Sequence, residues 1–374
     1  MRERERRMLD YYLNARSNGR GGGDDLMTWL PRFARVCFVG PPGFGIVLGG
    51  THKIAVSDAI SFCSQYKKMA TAADADNLTR NGVEYSMPDQ VKRFANAQAT
   101  NDTRYLDITT VYDGSDLKGK RILITGAEQG LGLELVKEIV TQGGHAIQAG
   151  RNSSTELDEF AAANPGSVTI IVGIDVCKDE TMEKMCTECK DPIDIVINCA
   201  GFFYGPAESV GVGCEGHLNF KMAMLQIDVC GVGPLRITSA LYKAGLLKRD
   251  GKPGKVIIIT SQAGSCEWRF TQNPTPKPGE EFHGNYGHHM SRAATNIMGV
   301  ILSQELRADG IPVQMLHPGF NRTAMTQKYA HIWDIEGAVE PHIGCKRVLY
   351  ETLKADLSTS GTVINCEDGK RIPW

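Results

Sequence analysis

The clearest chemistry in this chain lies at Thr125-Gly126-Ala127-Glu128-Gln129-Gly130-Leu131-Gly132. Glycines at this spacing let bare backbone approach a pyrophosphate. A helix starting directly after them offers its unsatisfied N–H groups and positive end to the same anion. Three glycines in one window recur by chance, so the neighbours decide. An apolar run at 121–124 precedes the turn and a helical pattern follows it. Further along, Asp175 ends the run 168–174 and Asn198-Cys199-Ala200-Gly201 ends the run 193–197. Ser261 closes 256–259, and Pro318-Gly319 closes 313–316. Each lies at the carboxyl end of an expected strand, the edge where an open doubly wound sheet binds its ligands. The pattern is that of a dinucleotide site with polar groups gathered beside it.

The elements that must hold these residues follow from periodicity. From Lys118 onward, strand-length apolar runs alternate with helical patterns. That alternation predicts an α/β fold of the Rossmann type: a doubly wound parallel sheet with helices on both faces and right-handed crossovers. The expected helix at 131–142 places Leu131, Leu133, Val136, Ile139 and Val140 largely on one stripe, and Gly143-Gly144 stop it. The dinucleotide-binding domain is expected at 113–374, preceded by an N-terminal extension at 1–112. Within the extension, residues 1–68 carry Gly21-Gly22-Gly23 and a Pro-Gly cluster without sustained periodicity, which predicts a flexible or only locally ordered stretch. Residues 87–106 read as a helical arm starting at Pro88, with Val91, Phe94 and Ala95 on one face.

Together the motifs resemble the short-chain dehydrogenase/reductase family: T-G-x-x-x-G-x-G at 125–132, N-x-A-G at 198–201, the serine after the fifth strand, and P-G-x-x-x-T from Pro318 to Thr323. The ending 368–374 is similar to the tail of the C-factor and sniffer-type carbonyl reductases. The resemblance covers roughly 113–374 and implies hydride transfer between a nicotinamide dinucleotide and a ketone or aldehyde. It assigns Gly126, Gln129, Gly130, Leu131 and Gly132 to the pyrophosphate loop, with Ala200 and Gly201 beside the cofactor. Arg151 follows the second strand, where NAD-preferring relatives tend to carry an acid for the ribose 2′-hydroxyl. A guanidinium suits a 2′-phosphate, so NADP(H) is expected over NAD(H). Asp175 resembles the aspartate that hydrogen-bonds adenine, although a carboxylate at a strand end can equally cap the next helix. Asn198 resembles the asparagine that ties neighbouring strands together. Thr323 resembles the residue that bonds the nicotinamide carboxamide.

The catalytic segment departs from the family. Relatives reduce with a tyrosine acid and a lysine four residues later, an i, i+4 pair on one helix face, while a serine polarises the carbonyl. Here the stretch reads Tyr286-Gly287-His288-His289-Met290-Ser291-Arg292-Ala293-Ala294. In one register Tyr286 is the acid and Met290 stands where lysine should be. In the other, Ser291-Arg292-Ala293-Ala294 resembles the family's S-K-A-A, so His288 replaces tyrosine and Arg292 replaces lysine. The distance from Arg292 to Pro318 favours the second. Protonated His288 would then donate to a developing alkoxide, because imidazole titrates near pH ~6.5 against ~10 for a phenol. Arginine keeps the positive charge and can grip a ribose. Cys230, with Asp228 as an alternative, stands at the family's relay asparagine. The same substitutions also allow a catalytically degenerate protein that binds NADP(H) as a sensor or scaffold. A polar insertion with Pro274, Pro276, Pro278, Glu280 and Glu281 is expected to arch over the substrate side.

Composition adds limits. A net charge of −2 gives no overall basic signal for nucleic acid or an anionic membrane. The longest mixed apolar run, 36–50, is short and broken by Pro41 and Pro42, so no membrane span is expected. Eleven cysteines without a secretory signal point to a reducing compartment. Glu3 and Glu5 among the first arginines favour the cytoplasm over organelle import. Cys186 and Cys189 form one C-x-x-C without a second pair, which reads as thiols on a solvated helix rather than a metal site. The expected partner is a small carbonyl compound, and relatives commonly pair as homodimers or homotetramers through the helix containing Arg292.

Overall fold

The computed structural model describes residues 78–206, 208–210, 218–272 and 284–374, together with the backbone of short strands within 36–55. The latter, Val36–Val39, Gly45–Leu48 and His52–Ala55, form an antiparallel three-stranded sheet in a unit of their own, Met1–Asp74. The Pro-rich insertion and the remaining expectations for residues 1–77 lie outside the described residues.

Seven strands form the main sheet: β1 (Arg121–Thr125), β2 (His145–Gly150), β3 (Val168–Val172), β4 (Ile195–Asn198), β5 (Lys255–Ile259), β6 (Val313–His317) and β7 (Val363–Asn365). They lie in the order β7-β6-β5-β4-β1-β2-β3, and every neighbouring pair is parallel. The winding reverses between β1 and β4, and the ends of these two strands open the crevice that such sheets use for ligands. Alternation divides the core. Ile122, Ile124, Ile195, Ile197, Ile257 and Leu316 pack on one face, while Leu123, Ile147, Val196, Val256 and Met315 pack on the other. Covering both faces is why the strands read as continuous apolar runs in the sequence.

The helices in chain order are α1 (Gln90–Thr100), α2 (Thr103–Leu106), α3 (Gly130–Thr141), α4 (Thr155–Ala163), α5 (Met182–Cys189), α6 (Phe220–Ile227), α7 (Gly233–Lys243), α8 (Cys266–Gln272), α9 (Tyr286–Glu305) and α10 (Pro341–Lys354). Helix α3 buries Leu133, Leu135, Val136 and Ile139. Between α6 and α7 the chain widens into a π-helical stretch, Asp228–Val232. Among the described residues no helix is long and apolar enough to cross a membrane.

Three local expectations need correction. The compact unit carrying the sheet begins at Ala75, upstream of residue 113, because α1 and α2 pack on it. Helix α1 also turns a different face inward: Gln90, Arg93 and Ala97 are buried, whereas Val91 and Ala95 are exposed. Arg93 meets the fully buried Glu367 at 2.9 Å, so an ion pair docks this helix rather than an apolar stripe. The thiols of α5 are not solvated either. Cys189 is 2% exposed in the core and Cys186 is half-buried; desolvation pushes both pKa values up, Cys189 to about 11.

Candidate active site

At the end of β1 the chain turns with Gly126 in the left-handed region, φ +69°. A Cβ here would lie 2.6 Å from Ala200 Cα, so glycine permits the β1 and β4 ends to touch. Thr125 Oγ1 secures that junction by accepting from the backbone N–H groups of Cys199 and Ala200 at 3.2 and 3.1 Å. At Gly132 a Cβ would fall 2.2 Å from the Gly126 carbonyl oxygen, so α3 sits directly against the turn. Helix α3 starts without a side-chain cap, Gln129 standing at the N-cap position with no such bond. Its first N–H groups face a cavity of about 910 Å³ lined by Gly126, Gln129, Gly130, Leu131 and Gly132. An uncapped helix end held directly against a tight glycine turn, with the cavity in front of it, fits a dinucleotide pyrophosphate.

The same cavity reaches Arg151 and Asp175 at one end and Ser261, His288, Arg292, Pro318, Gly319 and Thr323 at the other. Asp175 both lines it and caps a turn, accepting from Cys177 N at 3.0 Å. Asn198 sits in the β4–β5 seam, its Nδ2 donating to the Ile257 carbonyl at 3.4 Å. Ala200 and Gly201 line the wall after β4. Thr323 caps the helical run Ala324–Ile332, exchanging bonds with Thr326.

Helix α9 brings His288 and Arg292 to the cavity one turn apart, the i, i+4 placement expected of them. Arg292 is 6% exposed; its Nη1 donates to the Ile259 carbonyl at 3.2 Å, while Nε has no partner. Ser261 is held next to this helix because the neighbouring Thr260 hydroxyl donates to Asn296 Oδ1 on α9 at 2.7 Å. Ser261 Oγ accepts from Ala263 N, which leaves its hydroxyl hydrogen to donate. Tyr286 opens the helix and is not among the residues lining the cavity. Cys230 is buried in the π-helical stretch outside the lining, where its carbonyl accepts from Thr295 Oγ1 at 2.8 Å; Asp228 does line the cavity.

The charge of His288 differs from the sequence-based expectation. Its ring packs edge-on against Phe203 at 4.9 Å, and its Nδ1 has no partner. Desolvation, followed by the nearby Arg292, His289, Arg269 and Lys328, holds its pKa well below the usual imidazole range. The imidazole is therefore neutral at pH 7, not the imidazolium proposed as donor.

Other lining residues escaped the sequence reading. Lys178 joins Arg151 and Asp175 at one end. Phe203, Arg269, Gln272, Tyr329 and Glu336 surround the His288 end, and Gln90 reaches it from the arm. Glu128 also faces the cavity, and its Oε2 is buried without a partner. His317 lines the floor with both ring nitrogens unpartnered and was legible only as the neighbour of Pro318-Gly319.

Sheet order, switch-point crevice and glycine cradle define a Rossmann-type dinucleotide-binding protein. Residues 120–273 match the short chain dehydrogenase family. The chain is 31% identical to C-signal of Myxococcus xanthus over 138 residues, which are 37% of this chain and 70% of that protein. It is 27% identical over 212 residues to 1-hydroxy-2-glutathionyl-2-methyl-3-butene dehydrogenase of Rhodococcus sp. (strain AD45), covering 56% of this chain and 80% of that one. In architecture it is similar to carbonyl reductase Sniffer of D. melanogaster, with TM-score 0.56 and 22% identity over 68% of this chain and all of that one. It is also similar to NADPH-bound carbonyl reductase from chicken fatty liver, with TM-score 0.54 and 20% identity over 69% of this chain and 100% of that one. The chain belongs to the short-chain dehydrogenase/reductase family, whose members are NAD(P)-binding oxidoreductases.

Proposed function

We propose that this protein is an NADP(H)-dependent reductase of a ketone or aldehyde, with His288 and Arg292 in the places of the family's tyrosine and lysine. The observation that carries the reading is the shared cavity: Ser261, His288 and Arg292 line the same cavity as the uncapped α3 cradle. Arg151 and Lys178 supply two cations at the adenine end, which suits a 2′-phosphate better than a bare hydroxyl. The unpartnered Glu128 carboxylate accepts from hydroxyls and repels phosphate, so it suits a ribose. Arg292, with Nε still to be satisfied, suits the second ribose.

When bound, NADPH would supply a hydride to the carbonyl carbon. The carbonyl's π electrons then move to oxygen, where the Ser261 hydroxyl and a neutral His288 N–H donate hydrogen bonds. The positive charges around His288, from Arg292, Arg269 and Lys328, favour the alkoxide, and the final proton comes from water. A neutral histidine acting as an electrophile is an established way to polarise a carbonyl. Cys230 has a structural part in this scheme, through its carbonyl, and Tyr286 a lesser one than His288.

A second reading, a cofactor-binding sensor or scaffold without turnover, is favoured by the same neutral His288, since it lacks a proton to spare. NADPH consumption across a carbonyl panel separates the two. For the cofactor, the expected result is tighter binding of NADPH than NADH, with Arg151→Asp reducing the preference by roughly tenfold or reversing it. Equal affinities before and after that substitution would reject Arg151 as the selector. We assign the protein to the cytoplasm, a reading supported by free thiols among the described residues. Pairing as a homodimer or homotetramer through α6 and α9 is supported by the exposed Phe220, Met224, Ile297 and Ile301.

A further inference from the structure

We propose that the N-terminal arm, residues 78–107, is a strap that sets the width of the substrate end of the cavity, with Arg93 as its positioning residue. The inference rests on assigning the His288 end of the cavity to the substrate. The strap touches both walls of that end and the floor between them.

On one wall stand the Ser261 turn and α8. Arg80 makes two bonds to Glu267, at 2.6 and 2.8 Å, and Gln272 Nε2 donates to the Pro88 carbonyl at 2.6 Å. Arg93 Nη2 donates to Gln262 Oε1 at 3.0 Å, one residue beyond Ser261, and the guanidinium lies over the Trp268 ring. The opposite wall is the segment after Thr323. Gln90 Nε2 donates to the Glu336 carbonyl at 3.1 Å, and a Cβ at Gly337 would come within 2.5 Å of the Phe94 ring.

At the floor, Glu367 is the joint. Arg93 Nε donates to its Oε2 at 3.0 Å and Gln90 Nε2 to its Oε1 at 2.9 Å. The same Oε1 accepts from Phe320 N at 3.2 Å, in the loop just beyond Pro318-Gly319. One guanidinium thus links the Ser261 turn to the Pro318–Asn321 loop through a single carboxylate. Gln262, Gln272, Phe320 and Glu336 all line the cavity, as does Gln90 itself. A paired charge inside a protein holds its neighbours in one geometry, because separating the partners strands a buried ion. The strap therefore fixes the separation of the two walls and with it the size of carbonyl compound that the substrate end admits.

The test compares Arg93→Met/Glu367→Gln, which removes both members of the pair, with Phe94→Ala, which removes the ring packed on Gly337 and Tyr105 and leaves the pair in place. Hydrogen exchange is followed in the full chain at 262–272 and 318–337, with β1 to β4 as internal reference. The double variant should exchange roughly tenfold faster in both walls with the reference strands unchanged, and Phe94→Ala should speed 318–337 but not 262–272. In turnover, the double variant should raise kcat/KM for a bulky aryl ketone relative to a small dicarbonyl by roughly threefold or more, mainly through KM. Faster exchange confined to 86–107, with both walls unchanged, would overturn the strap. If the double variant does not fold, Phe94→Ala decides alone, and unchanged exchange at 318–337 overturns the proposal. A wild-type protein silent toward every carbonyl would count against the reductase reading, while the exchange comparison would still decide the strap.

Discussion

At the residue scale, the chemistry turns on the charge of one imidazole. A histidine donating as imidazolium loses its proton as pH rises through its pKa, so its rate falls about tenfold per unit above that point. His288 is desolvated against Phe203 and faces the positive charges of Arg292, Arg269 and Lys328, and its pKa is held well below the ordinary value. It stays neutral through the physiological range and serves as a hydrogen-bond donor. Carbonyl reduction by the wild type should therefore keep nearly the same kcat from about pH 6 to about pH 8 at saturating NADPH, showing no loss through the ordinary imidazole pKa. His288→Phe should lower kcat by about 10²-fold, the scale of a lost oxyanion donor, and leave NADPH affinity unchanged. A steep decline between those pH values would restore the imidazolium. A larger loss in Tyr286→Phe than in His288→Phe would move the acid to Tyr286.

At the element scale, the β1–turn–α3 unit was readable because its chemistry is contiguous: strand, glycines and helix follow one another in the chain. Its sharpest requirement is the contact between Gly132 and the Gly126 carbonyl. A Cβ at 2.2 Å from that oxygen and 2.8 Å from Ala127 Cα forces α3 off the turn, since neither neighbour is a flexible side-chain tip. Gly132→Ala should weaken NADPH binding by roughly tenfold or more, read by cofactor fluorescence, although alanine is a better helix former than glycine. Unchanged affinity would show that the cradle tolerates the shift and that the pyrophosphate is held elsewhere. Six of the seven strands and the i, i+4 pair on α9 were legible for the same local reason; the short Val363–Asn365 was not, its three residues being too few to show a pattern. The inward face of α1 was not, because Arg93 docks on a carboxylate 274 residues away. Nor was the charge of His288, since Phe203, Arg269 and Lys328 reach it from separate parts of the chain.

At the scale of the whole molecule, the buried network joining arm, C-terminus and Pro-Gly loop makes stability depend on pH in a definite direction. His317 is 6% exposed with both nitrogens unpartnered. Desolvation lowers its pKa to about 4, with Arg93 and Arg292 acting the same way and Glu367 opposing. The folded pKa lies below the unfolded one, so between about 6.5 and 4 the unfolded chain takes up a proton that the folded chain refuses, and stability falls as pH falls. At pH 4 this single site accounts for roughly 3 kcal/mol relative to neutral pH, an order-of-magnitude figure from the size of the shift. Glu367 adds a second loss at lower pH. Desolvation would raise its pKa, but Arg93, Arg347 and His317 outweigh that and hold it at about 2, so its contribution disappears as pH drops from about 4.5 toward 2. Thermal unfolding of the cofactor-free protein should therefore show a Tm that declines from about pH 6.5 downward. His317→Gln cannot titrate in that window and should make the decline between about pH 6.5 and pH 5 shallower, leaving the shares due to His288, His289 and His145. Parallel Tm curves for the variant and the wild type across that interval would show that His317 is already protonated in the folded protein, and would place a buried cation beside Arg93 that Glu367 has to balance as well.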